Sequence, residues 1–129
     1  DILFLNKSEL IKLTNENNII KGIKKIQSQN NNIKIISTNS KNNVIYSNNK
    51  NIFKIKPPKI KIKNENGAGD ALAGMMLILL SKRYTEKNIL KYSVACGSFY
   101  ASGKKLNIKH DLLKIKNLSK KMIIKKLNE

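Results

Sequence analysis

The segment that most constrains this chain is a glycine-containing loop that leads directly into an apolar stretch. Residues 66–71 read Asn-Gly-Ala-Gly-Asp-Ala, and the apolar run continues to Leu80. Glycine adopts backbone conformations that other residues avoid, and it lets a ligand approach closely. A loop that feeds a helix N-terminus directs unpaired N–H groups and the positive end of the helix dipole outward, where they attract a phosphate. The pattern therefore predicts an anion site where this loop enters the helix.

Asp70 directly follows this glycine loop and falls in the predicted first helical turn. N–H donors and the helix dipole stabilise an ionised carboxylate in that position. A carboxylate beside a bound phosphate can accept the proton of a substrate hydroxyl, as a phosphotransferase requires. The alternative is an ordinary helix start, with glycines for tight packing and Asp70 in the first turn. The loop is not a Walker A sequence, because no Gly-Lys-Ser/Thr follows it.

Hydrophobic periodicity around the loop predicts alternating strands and helices. Strands are predicted over residues 2–5, 33–37, 44–47, 52–55 and 60–62. Helices are predicted over residues 7–13, 19–29, 69–83 and 86–102, with Thr85 as the cap of the last of these, followed by one basic amphipathic helix or a pair of helices over 111–127. In that tail, the residues expected to point inward are Leu112, Ile115, Leu118, Met122 and Ile123. This order indicates an α/β layered sheet with helices packed on it.

Length and composition suit one globular domain located in the cytoplasm. The chain has 129 residues, of which 40% are hydrophobic. Its single Cys96 cannot form an internal disulfide, which agrees with a reducing compartment. The longest uncharged apolar run, residues 71–80, is about half of the roughly 20 residues that a membrane span needs. Since the chain starts at Asp1 and enters an apolar run at once, we expect it to be part of a larger protein.

The net charge of +18 admits two explanations. It can indicate a partner rich in phosphate, such as nucleic acid. It can also follow from an AT-rich genome, which places Lys and Asn at surface positions. Lys and Arg divide equally between the residues before Asn64 and those from Asn64 onward, whereas a nucleic-acid footprint should cluster on one face or helix. We therefore favour the second explanation and do not expect a nucleic-acid partner.

Two motifs resemble those of the PfkB carbohydrate kinases. Residues 64–75, NENGAGDALAGM, are similar to the family's C-terminal signature, commonly D-T-x-G-A-G-D-x-F-x-A-G. The Gly-Ala-Gly-Asp core, Ala71, Ala73 and Gly74 all match. A second family motif, Asn-x-x-Glu after an earlier strand, is matched by residues 6–9. Asn-x-x-Glu alone is uninformative in an Asn-rich chain, but its strand-end context and its spacing from the glycine loop make the pair specific.

The resemblance extends over essentially the whole chain and implies a fold and an activity. The implied fold is α/β, a three-layer α/β/α ribokinase-like sandwich, of which residues 1–129 would form only the C-terminal, nucleotide-binding half. The implied activity is phosphorylation of a sugar or nucleoside hydroxyl by ATP with Mg²⁺. The N-terminal half, which carries most substrate contacts and the lid in this family, would be missing, so the fragment alone should be incomplete. A homodimer of the intact parent protein is also expected, with no membrane partner.

The resemblance also implies residue roles. Asp70 would be the catalytic base, and the backbone N–H groups of residues 67–69 would form an anion hole over the transferring phosphoryl group. Asn6 and Glu9 would organise Mg²⁺ and phosphate, with Glu9 acting on the metal through water. Oxygen ligands of this kind suit a hard cation.

The chain departs from the family pattern just before the glycine loop. The usual Asp and Thr of D-T-x-G are Asn64 and Glu65 here, and Asn66 stands where Thr is frequent. Some members use the first position for a monovalent cation. Asn64 keeps an oxygen ligand but lacks the negative charge of Asp, so we do not expect activation by K⁺. Asn64 and Asn66 remain candidates for binding a monovalent cation or for supporting the loop.

The substrate branch is indicated by small residues around the loop and downstream. Asn64, with residues 94–96 (Val-Ala-Cys) and 101–103 (Ala-Ser-Gly), resembles the pseudouridine kinase branch. This branch is preferred over ribokinase-like, fructokinase-like and adenosine-kinase-like alternatives. Two other functions stay open: an inactive kinase remnant, and a basic nucleic-acid or phosphate-binding module on the same fold. Tyr100 lies near the end of the predicted fourth helix, which runs near the adenine in this family, and a packing role is favoured for its side chain.

Overall fold

The computed structural model describes residues 1–40 and 42–127. The elements along the chain are β1 (Ile2–Asn6), α1 (Lys7–Thr14), α2 (Ile19–Gln29), β2 (Lys34–Thr38), β3 (Val44–Ser47), β4 (Ile52–Ile55), α3 (Ala68–Leu80), α4 (Glu86–Ala101), α5 (Ile108–Ser119) and β5 (Ile124–Leu127). They divide into two compact units. The sheet unit contains residues 1–54 and the last strand from Lys125, and the helical unit contains residues 55–124.

A five-stranded mixed sheet organises the sheet unit, with strand order β1-β2-β3-β4-β5. β1 and β2 run parallel, with Leu3 opposite Ile35. A parallel pair needs a crossover connection, and α1 with α2 supplies it. β2 and β3 run antiparallel, with Ile36 opposite Tyr46. β1 therefore forms one edge of the sheet, and its carboxyl end leads straight into α1.

One hydrophobic cluster of the sheet unit has only aliphatic side chains among its buried members. Its buried members are Leu10, Ile23, Ile35, Ile45 and Ile52. Burying one such side chain contributes about 1.5–3 kcal/mol. The buried polar groups of Gln27 and Ser47 are satisfied: the Ser47 hydroxyl donates to Gln27 Oε1 at 2.9 Å, and Gln27 Nε2 donates to the Ile33 carbonyl at 2.9 Å. Buried polar groups with partners do not incur the cost of an unmade hydrogen bond.

The helical unit is built on the apolar helices α3 and α4. α3 buries Leu72, Met75, Met76 and Leu79, and α4 buries a run that includes Leu90 and residues 93–97. Burial raises the pKa of the Cys96 thiol in that run to about 11. Cys96 is thus a core residue. Among the described residues, no helix has both the length and the apolarity needed to cross a bilayer.

Most predicted strands and helices are confirmed, but the strand predicted over residues 60–62 is wrong. The structure has no strand between residues 56 and 62. Pro57 and Pro58 cannot donate backbone hydrogen bonds, and the Ile60 N–H turns back to the Pro58 carbonyl at 3.1 Å. Alternation of Ile and Lys suggested a pleated strand, but the prolines prevent regular pairing next to it.

The helical prediction for the tail is wrong beyond Ser119. The chain leaves α5 there and forms β5, which pairs beside β4 at the edge of the sheet. Ile115 and Met122 are buried as predicted, whereas Ile123 is 68% exposed. Short runs of Ile, Leu and Lys fit helical and strand periods equally well. The available neighbouring strand, which is distant in sequence, decides between them.

Candidate functional site

The N-terminus of α1 begins where strand β1 ends, and its two polar motif residues bond to each other. The Glu9 N–H donates to Asn6 Oδ1 at 2.8 Å, and the Asn6 N–H donates to Glu9 Oε2 at 2.9 Å. Together they form a capping box, which satisfies backbone donors that the first turn of a helix leaves unpaired. Asn6 and Glu9 therefore have a local structural role, whatever else they do.

Both capping residues are exposed and keep spare hydrogen-bonding capacity. An ionised carboxylate has two oxygens and about four lone-pair positions, and the bond from Asn6 N–H occupies one of them. Within residues 1–40 and 42–127, no three His, Cys, Asp or Glu side chains gather into a metal-binding cluster. A cation at Glu9 would therefore have to complete its coordination with waters or ligand oxygens, as Mg²⁺ commonly does.

The N-terminus of α3 is built differently, on a glycine and without a side-chain cap. Gly67 is the N-cap residue, with φ 81° and ψ −4°, and no side-chain hydrogen bond closes this end. The helix begins at Ala68, one residue before the predicted start. A left-handed N-cap suits glycine, which carries no Cβ to clash in that region. Ala68, Gly69 and Asp70 thus all lie in the first turn.

The hydrogen bonds of this turn determine which N–H groups can meet a ligand. The Ala68 N–H donates to the Glu65 carbonyl at 3.1 Å, and the first helical bond runs from the Ala71 N–H to the Gly67 carbonyl at 2.9 Å. The N–H groups of Gly69 and Asp70 precede the helical ladder and have no acceptor within it. They lie at an exposed position, and a Cβ placed on Gly69 would meet no atom within 4 Å.

The residues just before the glycine loop brace its backbone. Asn64 Oδ1 accepts the Asn66 N–H at 2.9 Å, which makes an Asx-type turn. The N–H groups of Lys63 and Asn64 both donate to the Ala101 carbonyl, at 2.8 and 3.0 Å. The Asn64 side chain thus fixes the backbone just before Gly67. The oxygen that does so is the same atom that was considered as a ligand for a monovalent cation.

Tyr100 lies beside the glycine loop, although the sequence favoured a packing role for it. Tyr100, in the last turn of α4, lies against Gly67: a Cβ placed on Gly67 would be 2.9 Å from Tyr100 Cε1. The available signal was the spacing of Gly97 and Tyr100, since residues three apart share one helix face. That spacing does not reveal which segment the face contacts.

Comparison with known proteins assigns the family. The family profile of the pfkB family carbohydrate kinases matches residues 1–110. No curated protein sequence matches the chain significantly.

Solved structures similar to the chain include longer proteins that are described as kinases. A protein from Clostridium perfringens described as a sugar kinase is 16% identical with a TM-score of 0.81, over 99% of this chain and 42% of that protein. A protein from Escherichia coli described as a ribokinase II, in complex with ATP and Mg²⁺, is 16% identical with a TM-score of 0.77. The match covers 92% of this chain and 38% of that protein. Phosphofructokinase-2 from Escherichia coli, in complex with potassium, is 20% identical with a TM-score of 0.76. The match covers 92% of this chain and 41% of that protein.

These structural likenesses confirm the predicted ribokinase-like α/β fold. The chain spans about two fifths of the length of these structural relatives. The profile match includes the capping-box motif at one end and the glycine loop with Asp70 toward the other. On the match over residues 1–110, this chain belongs to the PfkB family of carbohydrate kinases.

Proposed function

We propose that this chain is the C-terminal, nucleotide-binding part of an ATP-dependent phosphotransferase that acts on a sugar or nucleoside hydroxyl. One observation carries the proposal: the start of α3 has no side-chain cap and places Asp70 in an exposed first turn, in a chain of a carbohydrate kinase family. Since the chain spans only part of its structural relatives, the missing part of the domain would supply the lid and most substrate contacts.

The phosphate of the nucleotide would bind at the start of α3. Of the three N–H groups considered for the anion hole, that of Ala68 already bonds to the Glu65 carbonyl. The contact would therefore depend mainly on Gly69, assisted by Gly67 and by the helix dipole. The open space at Gly69 allows a phosphoryl group to come close to the backbone.

Asp70 would act as the general base. As the substrate hydroxyl oxygen bonds to the γ-phosphorus and the bond from that phosphorus to the ADP oxygen breaks, the Asp70 carboxylate would take the hydroxyl proton. General-base assistance of this kind is worth about 10²- to 10⁴-fold in rate. The N–H groups of the first turn would stabilise the charge on the transferring phosphoryl group.

Asn6 and Glu9 would hold Mg²⁺ through water, since their oxygens have capacity beyond the capping box. The ion supplies charge neutralisation on the nucleotide phosphates. The Escherichia coli relative described as a ribokinase II binds ATP and Mg²⁺, which supports this assignment. A relative also binds potassium, but Asn64 lacks the charge of a carboxylate and its oxygen already accepts the Asn66 N–H. We therefore do not propose a dependence on K⁺.

Pseudouridine is the first substrate to test, because residues 94–96 and 101–103 resemble that branch of the family. Ribose, fructose and adenosine follow. We place the reaction in the cytoplasm, in agreement with the buried, unpaired thiol of Cys96. A homodimer of the intact protein remains a prediction.

The deciding experiment measures turnover of each substrate by the full-length protein that contains this chain, with Mg-ATP. Asp70→Asn keeps size and hydrogen bonding but removes the proton acceptor, so turnover should fall about 10²-fold or more while ATP affinity stays within a few fold. Glu86→Gln is the matched control, because Glu86 is the acidic residue in the first turn of α4. It should leave turnover unchanged.

Two results would count against the proposal. Near wild-type turnover in Asp70→Asn would remove the catalytic assignment. Absence of phosphorylation of any of the four substrates by the wild-type protein would favour an inactive kinase remnant.

A further inference from the structure

The chain entering the glycine loop is held by the C-terminal end of α4. The Ala101 carbonyl accepts two hydrogen bonds, from the N–H groups of Lys63 and Asn64. The last carbonyls of a helix have no partner within the helix, so this one can fix a neighbouring segment. The bonds anchor the backbone three residues before Gly67.

The Tyr100 side chain forms a wall against the loop itself. A Cβ placed on Gly67 would lie 2.9 Å from Tyr100 Cε1 and 3.3 Å from its hydroxyl oxygen. Tyr100 is nevertheless 40% exposed. A large aromatic ring that is so exposed is not explained by core burial alone, and its buried side lies against the N-cap residue of α3.

Gly97 brings the same face of α4 against the next residue of the loop. A Cβ placed on Gly97 would lie 2.9 Å from the Ala68 carbonyl oxygen and 3.4 Å from Leu72 Cβ. Glycine therefore allows the backbone of α3 to approach α4 closely. The Ala101 carbonyl thus contacts the loop before the N-cap, Tyr100 contacts it at the N-cap, and Gly97 contacts it just after the N-cap.

We propose that Tyr100 is a positioning residue for the phosphate site. Its ring holds the Gly67 backbone in the left-handed conformation from which the first turn of α3 presents its N–H groups. Glycine populates several backbone regions with similar ease, so a loop with two glycines would otherwise lose conformational entropy each time it bound a ligand. Because the Tyr100 ring excludes the other conformations, the entropy of the loop is already lost when the protein folds. The affinity for the phosphate ligand is therefore higher.

This inference rests on the proposed function for its ligand, but its geometric part is testable without one. In the full-length protein, Tyr100→Ala should accelerate amide hydrogen exchange at residues 67–70, because the loop loses its wall. Tyr100→Phe keeps the ring and should exchange like the wild type. Tyr92→Ala, a tyrosine removed from the same helix two turns earlier, is the control for general destabilisation and should leave these amides unchanged.

The functional part compares the affinities of ATP and adenosine, which differ in the phosphates. Tyr100→Ala should weaken ATP binding about tenfold, the cost of ordering roughly one backbone residue, with adenosine affinity unchanged. KM for ATP should rise more than kcat falls, and Tyr100→Phe should restore both. A residue that only stabilised the fold would lower Tm and leave the ratio of the two affinities constant.

Outcomes separate this inference from the proposed function. Unchanged exchange at residues 67–70 in Tyr100→Ala, or an equal loss of ATP and adenosine binding, overturns the positioning role even if Asp70→Asn abolishes turnover. Faster exchange in a protein that binds no ATP would keep the geometric role and remove the proposed function.

Discussion

The two helix N-termini that carry the family motifs differ in how they are capped. α1 closes its own end, because Asn6 and Glu9 exchange hydrogen bonds with each other's backbone N–H groups. α3 starts on Gly67 with no side-chain cap at all. A glycine N-cap costs only a few tenths of a kcal/mol relative to a side-chain cap, so α3 loses little stability by starting on Gly67. The start of α3 thus has no side-chain acceptor for its first N–H groups, and we propose that a phosphate binds there, whereas α1 has a capping box.

The two ends also differ in what holds them in place. α1 follows directly from a strand of the sheet, and its cap comes from residues within three positions. α3 follows the irregular residues 56–66, and its start is held by contacts with α4, more than 25 residues away in sequence. Local residues therefore suffice for the first end, and tertiary contacts are needed for the second.

Alanine substitution of the two glycines at α3 should give the largest effects and should separate ligand binding from folding. Gly69→Ala places a methyl group in open space at the anion approach, so ATP affinity should fall about tenfold or more while Tm stays equal or rises, since Ala favours helix. Gly67→Ala should lower both, because the left-handed φ of 81° costs an L-residue roughly 1–2 kcal/mol. Thermal unfolding and ATP titration of both variants measure this.

A Gly69→Ala protein that loses stability but binds ATP normally would contradict the idea that this end is reserved for a ligand. The two variants are matched in chemistry, since each adds one methyl group to the same turn. Only the surroundings differ: at Gly67 the methyl would meet the Tyr100 ring, and at Gly69 it would meet no protein atom within 4 Å.

At α1, substitutions should distinguish capping from metal binding, with a smaller effect. Asn6→Ala and Glu9→Ala should each reduce the free energy of unfolding by about 1 kcal/mol. Glu9→Gln retains an oxygen that can accept the Asn6 N–H, so stability should be near wild type. If Glu9 also serves Mg²⁺, Glu9→Gln should raise the Mg²⁺ concentration needed for half-maximal turnover. An unchanged Mg²⁺ requirement would leave the motif a capping box only.

The unit that contains α3 and α4 should also show a pH dependence of stability, which has no effect at neutral pH and appears only above pH 9. Burial raises the pKa of the Cys96 thiol from 9.0 to about 11, so the unfolded chain releases this proton at lower pH than the folded protein. The corresponding stability is complete below pH 9 and is lost as the pH rises toward 11. The difference in free energy of unfolding between the wild type and Cys96→Ala should be constant below pH 9 and shrink above it.

Denaturant titrations across this pH range measure the difference, and subtraction of the variant removes the titration of the many lysines. A difference that does not change with pH would show that the thiol is not desolvated. A thiol reagent supplies a second readout: native Cys96 should react only as fast as the protein opens, because the nucleophile is the thiolate.

Local signals in the sequence were sufficient for much of this fold. Asn18 and Thr85 cap α2 and α4 through side-chain oxygens, and such caps are read directly from residue type. The three isoleucine-rich strands β2 to β4 and the amphipathic α2 were likewise predictable, because each is determined by periodicity within a few residues. The glycine loop and Asp70 were identified as one segment for the same reason.

Features that depend on distant residues were not predictable from the sequence. The role of Gly67 as the N-cap of α3 was not predicted, because a glycine there is compatible with a loop or a cap until Tyr100 and the C-terminal end of α4 restrict it. β5 was taken for a helix, since its strand partner is contributed by a segment about 70 residues earlier.

The sequence by itself identified the family and the residues that we propose for the chemistry, because Asn6, Glu9 and residues 67–70 form short contiguous motifs. The tertiary structure decided how those motifs are held. It places both oxygens of the first motif in a capping box and sets Tyr100, Gly97 and the Ala101 carbonyl around the second. The physical reason is that hydrogen bonds and packing between segments distant in sequence are chosen by the folded core, whereas caps and periodicity are properties of a few neighbouring residues.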